Sequence, residues 1–129
     1  MSDVEYIIET TDLSKSYGPH LALENLNLKI RKGATGLLGP NGAGKSTFLK
    51  TILGLIQATS GHGTVLGHDI RTEGAAIRSR IGYMPEYDAL NPDMEAIHQV
   101  KYSGELLGMN PIVAMSRAHE VLQYVGLGE

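Results

Sequence analysis

The chain contains no cysteine, which removes disulfide bridges and thiolate metal centres from consideration and fits a reducing compartment. No apolar run approaches the roughly 20 residues that a membrane-crossing helix requires, so any membrane association has to pass through a partner. The opening, Met1-Ser2-Asp3-Val4-Glu5, is acidic and lacks the basic-then-apolar layout of a secretory leader. Positive charge is scarce and scattered: 11 Lys and Arg stand against 14 Asp and Glu, a net charge of −3. No basic stripe offers itself to a nucleic-acid backbone. His20, His62, His68, His98 and His119 lack metal-ligand spacing to one another and read as surface residues. Internal repeats and low-complexity segments are absent. What remains is a chain of 129 residues, 42% apolar and 19% charged, the profile of one globular domain with a core of its own.

Against these absences stands Gly39-Pro40-Asn41-Gly42-Ala43-Gly44-Lys45-Ser46, a phosphate-binding loop pattern. Each part has a physical task. The glycines let the backbone turn tightly enough for several N–H groups to face one phosphate, and the following helix adds the partial positive charge of its N-terminus. Lys45 is long enough to reach the outer phosphates, the Ser46 hydroxyl suits a bridging Mg²⁺, and Thr47 completes the cradle. The context agrees with the pattern. Ala34-Thr35-Gly36-Leu37-Leu38 reads as a short strand buried on both faces. Downstream, Phe48, Leu49, Ile52, Leu53 and Ile56 fall on one helical face, with Gly54 as a mild helix defect.

Along the rest of the chain, Tyr6-Ile7-Ile8 reads as a short strand and Asp12 to Gly18 as an extended segment turning at Gly18-Pro19. Leu26, Leu28 and Ile30 alternate with polar residues as a half-buried strand does. Thr59 to Gly63 is turn chemistry, followed by a strand at Thr64-Val65-Leu66 and a second turn at Gly67-His68-Asp69. A brief helix near Ala75 to Arg78 precedes a strand at Ile81 to Met84, stopped by Pro85. These outlying strands suggest an antiparallel layer beside the nucleotide core. Asn91-Pro92 and Asn110-Pro111 are helix starts, with Asn as N-cap and Pro in the first turn. Gly108 and Gly126 are the matching stops. Met94, Ile97, Val100 and Leu107 share one face, and Met115, Ala118, Leu122 and Val125 the other helix's face. Such Met-bearing faces serve as core or as docking surfaces, and the pattern leaves both open.

The string Gly36 to Thr47, with Leu53-Gly54-Leu55 and Thr59-Ser60-Gly61, closely resembles the ATP-binding-cassette ATPases of ABC transporters, and the likeness covers the whole chain. It implies an α/β fold: a P-loop NTPase (RecA-like) core with an antiparallel β layer over residues 1–87, and the start of a helical subdomain over 88–129. Leu13-Ser14-Lys15-Ser16-Tyr17-Gly18 resembles the family's segment whose aromatic residue stacks on adenine, which implies that role for Tyr17; by pattern alone, a Tyr at a strand end reads as packing. Ile81-Gly82-Tyr83-Met84-Pro85-Glu86 resembles the segment before the family's Q-loop, with Glu86 where a Gln is usual. A carboxylate there is a harder metal ligand beside the phosphates. It resembles a variant of exporter-type members, and a solvated loop Glu is the plain alternative.

The second Mg²⁺-holding Asp of such ATPases ends an apolar strand, whereas Asp69, Asp88 and Asp93 follow His68, Tyr87 and Pro92. The family's Ser-Gly-Gly-Gln signature is also missing. The expectation is therefore the N-terminal part of a longer ATPase, binding ATP and Mg²⁺ but not turning ATP over alone, with no catalytic residue of its own. The resemblance further implies a transmembrane permease partner and a second nucleotide-binding domain in a head-to-tail dimer. It places the protein peripherally on the cytoplasmic face of the plasma membrane, with no nucleic-acid partner. A soluble, non-transport ABC-type ATPase stays open as an alternative. A GTPase does not, because Asn-Lys-x-Asp, the guanine-reading string, does not occur.

Overall fold

The computed structural model describes residues 6–86 and 90–128, and the chain divides into two compact units, Met1–Gly82 and Tyr83–Glu129. Asp88, a carboxylate of the sequence reading, lies outside the described residues.

The first unit is built on a four-stranded antiparallel sheet of order β2-β1-β3-β4. Strands β1 (Ile8–Tyr17) and β2 (His20–Ile30) form a hairpin that turns at Gly18-Pro19, with Tyr17 opposite His20. The two extended segments expected around residues 6–18 are one strand. Continuity is kept by a bulge at Asp12, whose φ is 49°. The Asn27 side chain holds that bulge, accepting from the Asp12 N–H at 3.0 Å and donating to its carboxylate at 3.0 Å. A polar side chain that bonds the local backbone makes the left-handed conformation tolerable for Asp.

Strand β3 (Ser60–Val65) pairs with β1 and begins earlier than the turn-like residues 59–63 suggest. Gly61 makes this possible. Its φ is 80°, and a Cβ there would stand 2.2 Å from the Asp12 carbonyl oxygen, so only glycine lets the two backbones meet. Leu66 and Gly67, both at positive φ (52° and 80°), turn the chain into β4 (His68–Asp69). That is the two-residue hairpin geometry which matches strand twist.

Helix α1 (Lys45–Ile52) lays Phe48 and Ile52 onto this sheet, where they join Leu13, Leu23, Val65, Ile70 and Ile77 in the core. Ile77 comes from the short helix α2 (Gly74–Arg78). Leu13, Ile77 and Val65 are almost fully enclosed, and burial of each such side chain is worth about 1.5–3 kcal/mol. Gly54 proves to be the helix stop and not a defect. It has φ 65°, its N–H reaches the Thr51 carbonyl at 3.0 Å, and the Leu55 N–H reaches that of Lys50 at 2.9 Å. This paired closure satisfies carbonyls that the helix end leaves open. Leu49 faces partly outward and Thr51 stands in the buried row, its hydroxyl donating to the Thr47 carbonyl at 2.7 Å.

Two expected strands do not form. Ala34–Leu38 and Ile81–Met84 lie outside any strand, and Leu38 and Met84 are 98% and 91% exposed. A strand buried on both faces depends on parallel neighbours and covering helices. Among the described residues the only sheet is antiparallel, and neither segment pairs with it.

In the second unit, helices α3 (Ala96–Leu106) and α4 (Pro111–Tyr124) pack on each other as a hairpin. α4 starts as expected, with the Asn110 side chain accepting the Ile112 N–H at 3.0 Å. α3 does not start at Asn91-Pro92. Asn91 accepts the Asp93 N–H and forms a separate turn, and the helix begins at Ala96 after Glu95. Gly108 and Gly126, at φ 88° and 77°, end the two helices. The contact face of α4 is Ala114, Ala118 and Leu122. Met115 is only partly covered, Leu107 and Val125 are exposed, and Met94, Ile97 and Val100 are partly buried. Small residues set this spacing: a Cβ on Gly104 would stand 3.4 Å from that of Ala114.

Candidate phosphate-binding loop

The loop Gly39–Gly44 runs into the first turn of α1, and its curvature follows from its glycines. Gly42 and Gly44 have φ 86° and 91°, values that any side chain would oppose. The Ala43 N–H closes a turn on the Pro40 carbonyl at 3.1 Å, and the Phe48 N–H takes the Gly44 carbonyl at 2.8 Å to open the helix. Glycines alternating with residues of ordinary φ turn successive N–H groups toward one side, the arrangement that makes an anion-binding concavity.

The electrostatics match. No side chain caps α1 and no acidic residue sits in its first turn, so the partial positive charge of the helix start is not neutralised. The Lys45 ammonium folds back over its own loop, donating to the carbonyl oxygens of Gly39 and, at 3.1 Å, of Pro40. Ser46 is exposed, Thr47 is partly buried, and Asn41 is exposed at the turn.

The loop is held by the hairpin beside it. A Cβ on Gly44 would come 2.4 Å from the Ala22 carbonyl oxygen and 3.0 Å from a methyl of Leu23. Leu23 is itself a core residue of β2 and lies opposite Lys15 of β1. Tyr17 ends β1 on this same hairpin, 47% exposed, with the Lys15 ammonium 5.0 Å from its ring centroid. The structure thus gathers Gly39 to Thr47 into one turn and ties it to the strand pair that carries Tyr17. Glu86 belongs to the second unit, where it is an exposed residue outside helix and strand. No group of three or more His, Cys, Asp or Glu among the described residues could hold a metal ion.

Three features escaped the sequence. The seat for Gly44 on the Ala22 backbone and the Leu23 side chain leaves no sequence signal beyond the glycine itself. The Lys15–Tyr17 contact could have been found from the i, i+2 spacing on a strand, which puts both side chains on one face. Arg78 binds the far end of α1 through backbone carbonyls 25 and 24 residues away, and no pattern of residue types marks such a partner.

The ABC transporter family model matches residues 23–129. The chain belongs to that family. Among its curated relatives, the linearmycin resistance ATP-binding protein LnrL of Bacillus subtilis is 39% identical over 95% of the chain. The Nod factor export ATP-binding protein I of Cupriavidus metallidurans is 34% identical over 94%. In both cases the chain spans 40% of the relative's length. Among solved structures, a dimeric ATP-binding cassette in a post-hydrolysis state bound to ADP and Pi superposes with a TM-score of 0.75 at 26% identity, covering 90% of this chain and 56% of that one. The fold class is therefore that of the ABC-type P-loop NTPases, and the antiparallel sheet with α1 is the part of it that this chain displays. No helix among the described residues is long and apolar enough to cross a membrane.

Proposed function

We propose that Gly39 to Thr47 holds the phosphates of ATP, and that the chain is the nucleotide-binding part of the motor ATPase subunit of an ABC transporter of the exporter type. One observation carries this reading: the Lys45 ammonium stands over the carbonyls of a glycine-built turn at the uncapped start of α1. In that position a polyphosphate replaces the loop carbonyls as the partner of the ammonium, and the backbone N–H groups of the turn and first helical residues donate to its oxygens. Tyr17 offers an exposed ring face for the base, a contact worth about 1–3 kcal/mol.

Mg²⁺ fits the donors present. The exposed Ser46 hydroxyl in the first turn is a hard oxygen ligand beside the phosphate site, and this ion keeps most of its waters and takes few protein ligands. When bound, it neutralises charge on the outer phosphates. Glu86 is a second candidate oxygen ligand by its place in the sequence. The protein's own contribution is binding and orientation. Asp69, Asp88 and Asp93 follow His68, Tyr87 and Pro92 and not apolar runs, so we expect the chain to bind Mg-ATP without turnover.

The names of the relatives, a resistance and an export ATP-binding protein, support the exporter-type assignment; in this reading residues 1–87 are the β layer and P-loop core and residues 88–129 the beginning of a helical subdomain. The longer protein then pairs with a second copy of its nucleotide-binding domain head to tail and docks on a transmembrane permease at the cytoplasmic face.

Titration calorimetry tests the loop. Lys45→Ala should weaken Mg-ATP binding by about 1.5–3 kcal/mol, the range for a hydrogen bond to a charged group. Equal affinity in parent and variant would refute it. Steady phosphate release by the purified parent, absent in Lys45→Ala, would refute the expectation of binding without turnover.

A further inference from the structure

We propose that Arg78 is a positioning residue for the phosphate-binding loop, acting through the far end of the helix that carries Lys45 and Ser46. The Arg78 guanidinium donates to the carbonyl oxygens of Leu53 and Gly54 at 3.1 and 3.2 Å. These belong to the residues that close α1, just beyond the two carbonyls satisfied by the glycine stop.

A seat has been cleared for it. A Cβ on Gly74 would stand 2.8 Å from the guanidinium nitrogen, and a Cβ on Gly54 would stand 3.0 Å from the Gly74 Cα and 3.3 Å from the same nitrogen. Two glycines thus let α2 approach the end of α1, and a single guanidinium nitrogen of Arg78 donates to both carbonyls at a reach that the shorter Lys side chain does not match. Beside Arg78 on α2, Ile77 is fully enclosed in the core, so the guanidinium is anchored through a fixed helix.

The helix between loop and guanidinium has eight residues. It is too short to hold itself in place. Phe48 and Ile52 hold its inner face in the core, Gly44 against Ala22 fixes its N-terminal end, and Arg78 fixes its C-terminal end, where a positive charge also favours the helical state. Removing the C-terminal anchor lets the helix shift along its axis within that packing, and the N–H groups of its first turn move with it.

This inference rests on the phosphate-binding reading, and the experiment separates the two. Mg-ATP affinity and thermal midpoint are measured on the full chain for parent, Lys45→Ala, Arg78→Met and Arg78→Lys, with Glu73→Gln as a destabilised control that alters α2 away from α1. Arg78→Met should weaken binding roughly two- to fivefold, the equivalent of one helix-terminal charge, well below its melting range. It should also displace the amide NMR signals of Gly42, Gly44 and Ser46. Arg78→Lys should restore the charge but only part of the affinity, while Glu73→Gln keeps parental affinity. Unchanged affinity and unchanged loop signals in Arg78→Met, with only a lower melting point, would overturn the proposal and leave Arg78 a brace. Parent and Lys45→Ala binding alike would instead overturn the phosphate-binding reading.

Discussion

Gly44 lies so close to Ala22 that a methyl group on its Cα would come within 2.4 Å of the Ala22 carbonyl oxygen. The loop and the β1–β2 hairpin are therefore in backbone contact, and the left-handed φ of 91° at Gly44 serves both the nest and this seat. Gly44→Ala should lose nucleotide binding and lower the melting point. Gly42→Ala meets nothing within 4 Å and should cost only the left-handed penalty of about 1–2 kcal/mol. Melting curves and calorimetry on both variants check this, and equal effects would show that the Ala22 contact is unimportant.

Acid should weaken the first unit through two carboxyls that sit below their ordinary values. Asp69 does so chiefly because the Arg71 backbone N–H donates to it at 2.7 Å, and Glu73 chiefly through its hydrogen bond with His68 at 3.0 Å. A carboxyl lowered in the folded chain contributes stability that is complete above its unfolded value and disappears as the pH falls through the folded one. Stability should therefore decline below about pH 4.5. Both groups face solvent, so the slope is shallow and salt reduces it. In urea titrations over this range Glu73→Gln should decline less steeply than the parent, and parallel curves would contradict the assignment.

Asn110 and Asn91 should behave differently although their sequence contexts match. Asn110 caps α4, so Asn110→Ala should cost about 0.5–2 kcal/mol. Asn91 holds only its own turn, several residues before α3, and Asn91→Ala should cost much less. Circular dichroism melts followed at the helix band distinguish them. Similar losses would mean that α3 begins earlier.

Leu38 is 98% exposed directly before the loop, and the apolar run 34–38 has no strand partner. Surface of this kind favours self-association. Leu38→Glu should reduce concentration-dependent aggregation in light scattering without lowering the melting point. A parent that stays monodisperse at high concentration would remove the basis for this expectation.

The parts of the fold that were legible are those coded by neighbours in sequence. The loop glycines, the Asn110 cap and the stops at Gly108 and Gly126 each act within a few residues of themselves. Gly54 was legible as an exception but misread, because a glycine at the end of a helical face and one inside it differ only in where the helix ends. Ala34 to Leu38 failed for the opposite reason. Its composition states a preference for burial, and burial needs other strands to supply it. Asn91 failed because a cap residue opens either a turn or a helix, depending on the residues after it, and here the helix waits until Glu95.

By itself, the sequence determined that the backbone between Gly39 and Lys45 must curve and that a cation follows it, since glycine conformation and side-chain charge are local properties. Only tertiary structure decided what that curve leans on. Ala22 beneath Gly44 and Arg78 behind Gly54 lie 22 and 24 residues away from their partners in the chain, and contacts at such separation come from packing, which no residue's own preferences encode.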